Sequence, residues 1–366
     1  MGMRRMRQIA GVALAVACLL ALGVAVPLIA RQARAAAPSS PNQVATYTLI
    51  TGDRVAVSMT PDGRPSVTLL SGPSGAASFE VMANGPHLYV LPHDAAGYIG
   101  QPLALDLFDV NALSPDTSTT TASLLQLTVD YSAGSARQLP PGLNKSASGS
   151  VTVSDPRKFG QALAKQWIAD KHGATSSLFA GISRISRAGS SAASSPQPGQ
   201  LFTVTVKAFD RRGQRAQGDM GVVMNADSVD SFLAGQSYYR GAFAFSVPAG
   251  HYSISSYIST VYPDNSIDFT LAVAPEVDVT HDTIVILDAH KGQRISATTP
   301  LASAPVQTQL NYQRNPQAGL SFTDSFVAFG SNAFYATPTA PVTVGQMYFY
   351  PYVRLGDAQG SLSSYL

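Results

Sequence analysis

The stretch 45-ATYTLITGDRVAVSM-59 reads as two alternating halves about a break. Ala45, Tyr47 and Leu49 alternate with Thr46 and Thr48, and Val55, Val57 and Met59 alternate with Ala56 and Ser58. Successive side chains of an extended chain point to opposite faces, so each half suits a strand with one side buried. Gly52-Asp53 predicts a two-residue turn with glycine at its first central position. The same period recurs downstream. Asp62-Gly63 marks a second hairpin leading into 66–70, and further strands are expected over 79–82, 87–91, 103–110 and 124–131, with one short helix near 94–99.

A different period begins at 151-VTVSDPRKFGQALAKQW-167. Residues 151–153 read as a strand. Asp155-Pro156 then supplies an N-cap and a proline at the first helical position. Phe159, Leu163 and Trp167 recur every four residues, and Gly173 is a natural stop. This predicts one amphipathic helix over 156–172 that packs Trp167 onto the preceding sheet.

Residues 189-GSSAASSPQPGQ-200 are small, polar and aperiodic, as in a linker. Beyond it, short strands are expected over 202–209, 220–224, 243–247, 252–258, 269–273 and 283–287, with turns at Arg211-Arg212-Gly213 and Pro248-Ala249-Gly250. The fold class is therefore mainly β with a minor α+β part. A sheet-rich domain over 44–188 is followed by an immunoglobulin-like or prealbumin-like sandwich over 201–290 and a further β-domain over 291–366. The last portion is rich in aromatics, from Phe322 to Tyr352. Core and partly exposed strand faces account for them before a carbohydrate platform does, because aromatics favour strands.

Composition sets the address. Arg4, Arg5 and Arg7 precede an apolar run, and Ala33-Arg34-Ala35 offers small residues to a signal peptidase, so 1–37 reads as a signal peptide. Uncleaved, residues 9–30 would anchor the chain in a membrane. Cleavage after Ala35 removes five arginines, which takes 24 basic against 22 acidic residues to 19 against 22. The mature chain is then slightly acidic, which argues against a nucleic-acid partner. The single cysteine, Cys18, lies in the apolar run, so the mature chain has neither disulfide nor thiol chemistry.

The segments 47-YTLITGDRVAV-57, 87-HLYVLP-92, 105-LDLFDVNAL-113, 125-LQLTVDY-131, 151-VTVSDPRKFGQALAKQW-167 and 180-AGISRI-185 resemble the propeptide region of large secreted actinobacterial subtilisin-family serine peptidases. Where that family continues into its catalytic domain, this chain has 186-SRAGSSAASS-195. Beyond the linker, 201-LFTVTVKAFDRRGQ-214, 247-VPAGHYSI-254, 279-VTHDTIVILDAHKGQRIS-296 and 335-YATPTAPVTVGQMYFYPYVRLG-356 are similar to the family's C-terminal β-domains. The resemblance implies a secreted, non-catalytic homologue whose catalytic core is missing and whose last domain is cut short. Such a protein would act as an accessory or would bind a secreted subtilisin-like protease. Two alternatives are a decayed peptidase without activity and a cell-envelope or glycan-binding sandwich protein.

The family carries its triad in Asp-Ser/Thr-Gly, His-Gly-Thr/Ser-His and Gly-Thr-Ser-Met-Ala contexts, and none of these occurs here. In 172-HGATSS-177, His172 and Gly173 read as a helix C-terminus. No catalytic or cofactor residue is assigned. His87, His93, His251, His281 and His290 are scattered, without a zinc-ligand spacing. Asp264 and Asp268 alternate with polar residues and are weak calcium candidates, and 227-DSVD-230 is weaker still; neither has the downstream glycine and glutamate of a helix–loop–helix site. Arg211, Arg212 and Arg215 read as a solvated turn.

Overall fold

The computed structural model describes residues 44–60, 63–72, 78–116, 125–134, 138–146, 149–173, 177–190, 200–330 and 332–357. The signal segment, the middle of the linker, Asp62 and Leu124 lie outside the described residues. Strands β1 (Ala45–Thr48), β2 (Arg54–Met59) and β3 (Pro65–Ser71) form a three-stranded antiparallel sheet. The link between β1 and β2 is longer than the expected two-residue turn. It runs from Leu49 to Asp53, with Thr48 paired to Arg54 and Gly52 at φ +81°. Leu49 and Ile50 leave the strand because both bury in the core, and Asp53 closes the loop by accepting from Thr51 Oγ1 at 2.5 Å.

Next come β4 (Ser78–Asn84) and β5 (His87–Pro92), then a single helical turn, α1 (His93–Ala96). The strand expected over 103–110 is absent. Two 3₁₀ turns, Leu105–Phe108 and Val110–Ala112, take its place. Leu103, Leu107 and Val110 are fully buried at spacings of four and three, and Asp109 caps the second turn through Asn111 N. A short apolar run fits a helical turn as well as a buried strand, and the capping aspartate decides between them.

Strands β6 (Gln126–Tyr131), β7 (Leu143–Lys145), β8 (Val151–Val153) and β9 (Ile182–Arg187) make a four-stranded sheet in the order β7-β8-β6-β9. Helix α2 (Pro156–Lys171) lies between β8 and β9 in the chain, capped by Asp155 Oδ1 accepting from Lys158 N at 3.1 Å. Its buried residues are Phe159, Gly160, Leu163 and Trp167, on the face the sequence picks out. They pack with Leu127, Val151, Val153, Ile182 and Ile185 of that sheet. Trp167 also reaches past the linker, donating its ring N–H to Gly218 O at 2.6 Å.

After the linker the chain is β throughout. The strands are β10 (Leu201–Phe209), β11 (Met220–Asn225), β12 (Leu233–Ser237), β13 (Ala242–Pro248), β14 (Gly250–Val261), β15 (Ile267–Val279) and β16 (Thr283–Asp288). They are followed by β17 (Gln293–Ile295), β18 (Ser303–Asn315), β19 (Phe322–Phe329), β20 (Ala333–Ala336) and β21 (Gln346–Asp357). Three sheets result, in the orders β13-β10-β16, β12-β11-β14-β15-β20-β17 and β21-β18-β19-β4-β5. The protein is thus mainly β.

The layers stack through distinct apolar clusters. Val204, Val206 and Val247 of the small sheet pack on Ile254, Ile258 and Ala272 of the six-stranded sheet. The opposite face of that sheet offers Tyr257, Phe269, Leu271 and Phe334 to Leu310, Tyr312 and Phe326 of the five-stranded sheet. The far side of the five-stranded sheet is covered in part by the first sheet, whose Val55, with Leu49 of its loop, meets Phe79, Val81, Val90 and Val327.

The five-stranded sheet crosses the segment boundaries expected near 200 and 290. Strand β4 pairs antiparallel with β19, from Ser78 opposite Ala328 to Asn84 opposite Phe322, and β15 pairs parallel with β20. The segment before the linker and the last segment are therefore hydrogen-bonded into one sheet, and residues from 41 onward fall in one compact unit.

Candidate functional site

Two polar assemblies stand out, one buried and one on the surface. The buried one is written along β14. Ser253, Ser255, Tyr257 and Ser259 alternate with Ile254 and Ile258, and all are almost inaccessible to solvent. On the polar side, Ser253 Oγ lies 2.6 Å from Tyr312 Oη, Tyr257 Oη donates to Asp324 O at 2.9 Å, and Ser255 Oγ donates to Asp324 Oδ2 at 3.3 Å. Ser259 Oγ donates to Asp219 Oδ1 at 2.5 Å, and Lys171 Nζ of α2 reaches Asp219 Oδ2 at 2.8 Å.

His93 completes a set of serine, histidine and aspartate, but not a triad. A triad needs histidine between aspartate and serine, so that one ring nitrogen takes the hydroxyl proton. Here Asp219 is in the middle. His93 Nε2 is 3.4 Å from Asp219 Oδ1 without hydrogen-bond alignment, and neither ring nitrogen has a hydrogen-bond partner. The ring is wedged edge-on against Trp167, Phe269 and Phe326. Ser259 is 1% exposed and offers no path to a substrate. The cluster joins α1, α2, β11 and β14, and its chemistry is that of a buried ion pair.

Burial holds His93 below its ordinary pKa, against the pull of Asp219. Burial also opposes ionisation of Asp219, but Lys171 and the hydrogen bonds around it outweigh that and keep its carboxyl below the usual range. Glu80 and Asp324 behave in the opposite sense. They meet diagonally across β4 and β19, and burial, reinforced for Glu80 by the facing carboxyl, pushes both upward. The folded state thus keeps protons that the unfolded chain has already released above about pH 4. Stability is expected to fall as pH rises, by about 1.4 kcal/mol for each pH unit of that window. His93 and Asp219 act with the opposite sign, and their share is lost only as pH falls below about 6.5 and below the usual carboxylate range respectively. A melting series from pH 6.5 to 8.5 lies above the His93 and Asp219 windows, and Asp94, which burial also raises to about 7, adds to the fall there, so the pair's share is read from a variant. Glu80→Gln is expected to shrink the fall across that range, and an unchanged slope would show that the pair does not share a proton.

The surface assembly lies on the face of the five-stranded sheet that the first sheet covers only in part. Around Phe79, Val81 and Val327 that face is apolar. Toward β18 and β21 it turns polar and forms a groove of about 460 Å³ beneath the edge of the β2–β3 hairpin. Gln307, Gln309 and Asn311 alternate along β18, opposite Arg354, Tyr352 and Tyr350 of β21. Their orientation is fixed by a network. Gln309 Nε2 donates to Asn311 Oδ1 at 2.6 Å, Ser325 Oγ donates to the same oxygen at 2.8 Å, and Asn311 Nδ2 donates to Tyr350 O at 3.0 Å. Across the groove, Arg64 Nη1 donates to Tyr350 Oη at 2.6 Å, with its guanidinium 5.5 Å from that ring. Tyr352 stands 56% exposed beside them. The sequence marks no residue of this groove as a site, and its aromatic run to Tyr352 reads as core and strand faces. A larger cleft of about 600 Å³ lies beside Arg54, Arg157 and Arg187, but Asp116 and Leu125 on its wall flank residues 117–124, which lie outside the described set.

The calcium candidates have separate partners. Asp264 caps its own turn, accepting from Ser266 N at 3.0 Å and Ser266 Oγ at 2.7 Å. Asp268 on β15 accepts from Tyr262 Oη at 2.8 Å and lies 3.8 Å from Arg211 Nε. Asp227 accepts from His251 N and lies 2.9 Å from its Nδ1. Among the described residues, no group of three or more histidine, cysteine, aspartate or glutamate side chains is gathered as metal ligands. Arg211 departs from the expected solvated turn. Its guanidinium lies 3.4 Å from the Tyr335 ring centre and donates to Ala289 O and Gly292 O, clamping β20 to the 3₁₀ turn after β16. His172 sits at the C-cap of α2, as expected, with Gly173 at φ +81°.

No protein-family model matches the chain, and no curated protein matches it. Among solved structures, the crystal structure of a candidate adhesin from Bacteroides ovatus is similar at 11% identity, covering 47% of this chain and 86% of that one with a TM-score of 0.22. A score that low carries no argument about fold or function. No described helix is long and apolar enough to cross a membrane.

Proposed function

We propose that the protein is a secreted, non-catalytic binding protein and that the groove under the β2–β3 hairpin takes a saccharide chain. The observation that carries this reading is the pair of half-buried carboxamides Gln307 and Gln309, anchored by the buried Asn311, beside Tyr350 and Tyr352. Carboxamides offer donors and acceptors on one planar group, which matches hydroxyls that both give and take hydrogen bonds. An exposed tyrosine ring adds an apolar face with a polar tip for the C–H side of a sugar ring. The network around Asn311 holds these groups in place before a ligand arrives, which lowers the ordering cost of binding. Secretion rests on the signal-like leader, and the non-catalytic part rests on the missing triad motifs and on the Asp-centred geometry of His93, Asp219 and Ser259.

A subtilisin-like protease is the partner that the resemblance suggests. Strand addition at β4 is closed to it, because β4 is already paired on both sides, with β5 and β19.

The test is binding of the purified mature chain to a panel of soluble oligosaccharides and to isolated bacterial cell-envelope glycan. Binding is expected, and Tyr352→Ala is expected to weaken it about tenfold without lowering the melting temperature, as for an exposed aromatic contact worth more than about 1 kcal/mol. A folded wild-type chain that binds no saccharide, or a Tyr352→Ala variant that binds as well as wild type, would overturn the reading.

A further inference from the structure

Arginine is the one charged residue type on the described lining of the groove. Among the described residues that line it there are two arginines, Arg64 and Arg354, and no carboxylate. Arg354 is exposed, and no hydrogen bond or ion pair ties it to another described residue. It stands opposite Gln307, at the end of the row that begins with Asn311 opposite Tyr350. Arg354 lies four positions beyond Tyr350 on β21, about 13 Å at the rise of a strand. Arg64 is fixed over Tyr350 by its hydrogen bond and ring contact, so the two guanidinium groups mark opposite ends of the polar row.

A site selective for neutral sugars has no use for a guanidinium whose charge no described residue meets. Arginine's planar fork suits the paired oxygens of a carboxylate, sulfate or phosphate, and hydrogen bonds to such groups are about twice as strong as neutral ones. From the groove's charge and the position of Arg354 we infer that the ligand is an anionic saccharide, with an acidic substituent held at Arg354 and its sugar rings along the amide row toward Arg64. This inference rests on the saccharide reading of the groove and narrows it to a substrate class.

The experiment is calorimetric titration of the full mature chain with oligogalacturonate and with its methyl ester, which keeps the rings and removes the charge. Dextran sulfate and dextran form a second pair, separating sulfate from carboxylate as the acidic group. The acidic member of at least one pair is expected to bind about tenfold more tightly at low salt, and the difference is expected to shrink at higher salt. Arg354→Gln is expected to remove that preference, so that the acidic and uncharged members of a pair bind the variant equally. Arg212→Gln, on a distant exposed turn, is expected to change nothing. Equal binding of charged and uncharged members, or a preference that survives Arg354→Gln, would overturn the inference while the saccharide reading stands. If no member binds, with the fold verified by circular dichroism, the saccharide reading fails and the inference falls with it.

Discussion

Replacing Lys171 by methionine is expected to cost about 3–5 kcal/mol of folding stability at pH 8, the range for breaking a buried ion pair from one side. Lys171 is 7% exposed on its side chain and Asp219 is fully buried, so the aspartate would lose its cation with no water to replace it. The two remaining neighbours do not compensate. Ser259 donates one hydrogen bond, and His93 is held neutral by its burial. The Asp219 contribution to the pH dependence is expected to change sign. In the native chain the Asp219 carboxyl sits below its ordinary pKa, so its contribution is present above that value and lost as pH falls through the folded one. Without Lys171, burial raises it, and stability is instead lost as pH rises. Lys171→Met with Asp219→Asn is expected to recover much of the loss, because an amide needs no counter-charge. Chemical denaturation of the native chain and the two variants at pH 5 and pH 8 checks this. A loss under 1 kcal/mol in the single variant would mean that water reaches the cluster.

Phe326→Ala is expected to cost about 3–5 kcal/mol, because a large ring is removed from a site that cannot collapse. Phe326 is fully buried on β19 and touches His93, Tyr257, Phe269 and Phe334, with ring centres 4.6–6.4 Å away. These neighbours come from α1, β14, β15 and β20, so the ring sits where the segment before the linker, the segment after it and the last segment converge. Its loss is expected to lower one cooperative transition as a whole. Two resolved transitions in the variant, with one of them unmoved from wild type, would show that the segments fold separately.

Local signals were legible in the sequence, and pairings between distant segments were not. Asp155, Pro156 and the four-residue spacing of Phe159, Leu163 and Trp167 define α2 because caps and periodicity act within a few residues. The 103–110 segment misled because its apolar spacing fits two backbones and its capping aspartate comes seven residues in. The alternation Ser253, Ser255, Tyr257, Ser259 is visible in β14, but it usually marks a solvent face. Its partners Asp219, Tyr312 and Asp324 lie tens of residues away, which is why a buried polar seam cannot be read locally. The groove follows the same logic. Gln307, Gln309 and Asn311 alternate plainly, yet they become a site only when β21 brings Tyr350, Tyr352 and Arg354 beside them.

The central claim is that a saccharide occupies this groove, and amide chemical-shift mapping tests it most directly. On adding the tightest-binding oligosaccharide from the panel, shifts are expected to cluster on Gln307, Gln309, Asn311, Tyr350, Tyr352 and Arg354, with little change at Arg157 or Arg212. Saturable shifts confined to the Arg157 cleft, or spread without a focus, would contradict it.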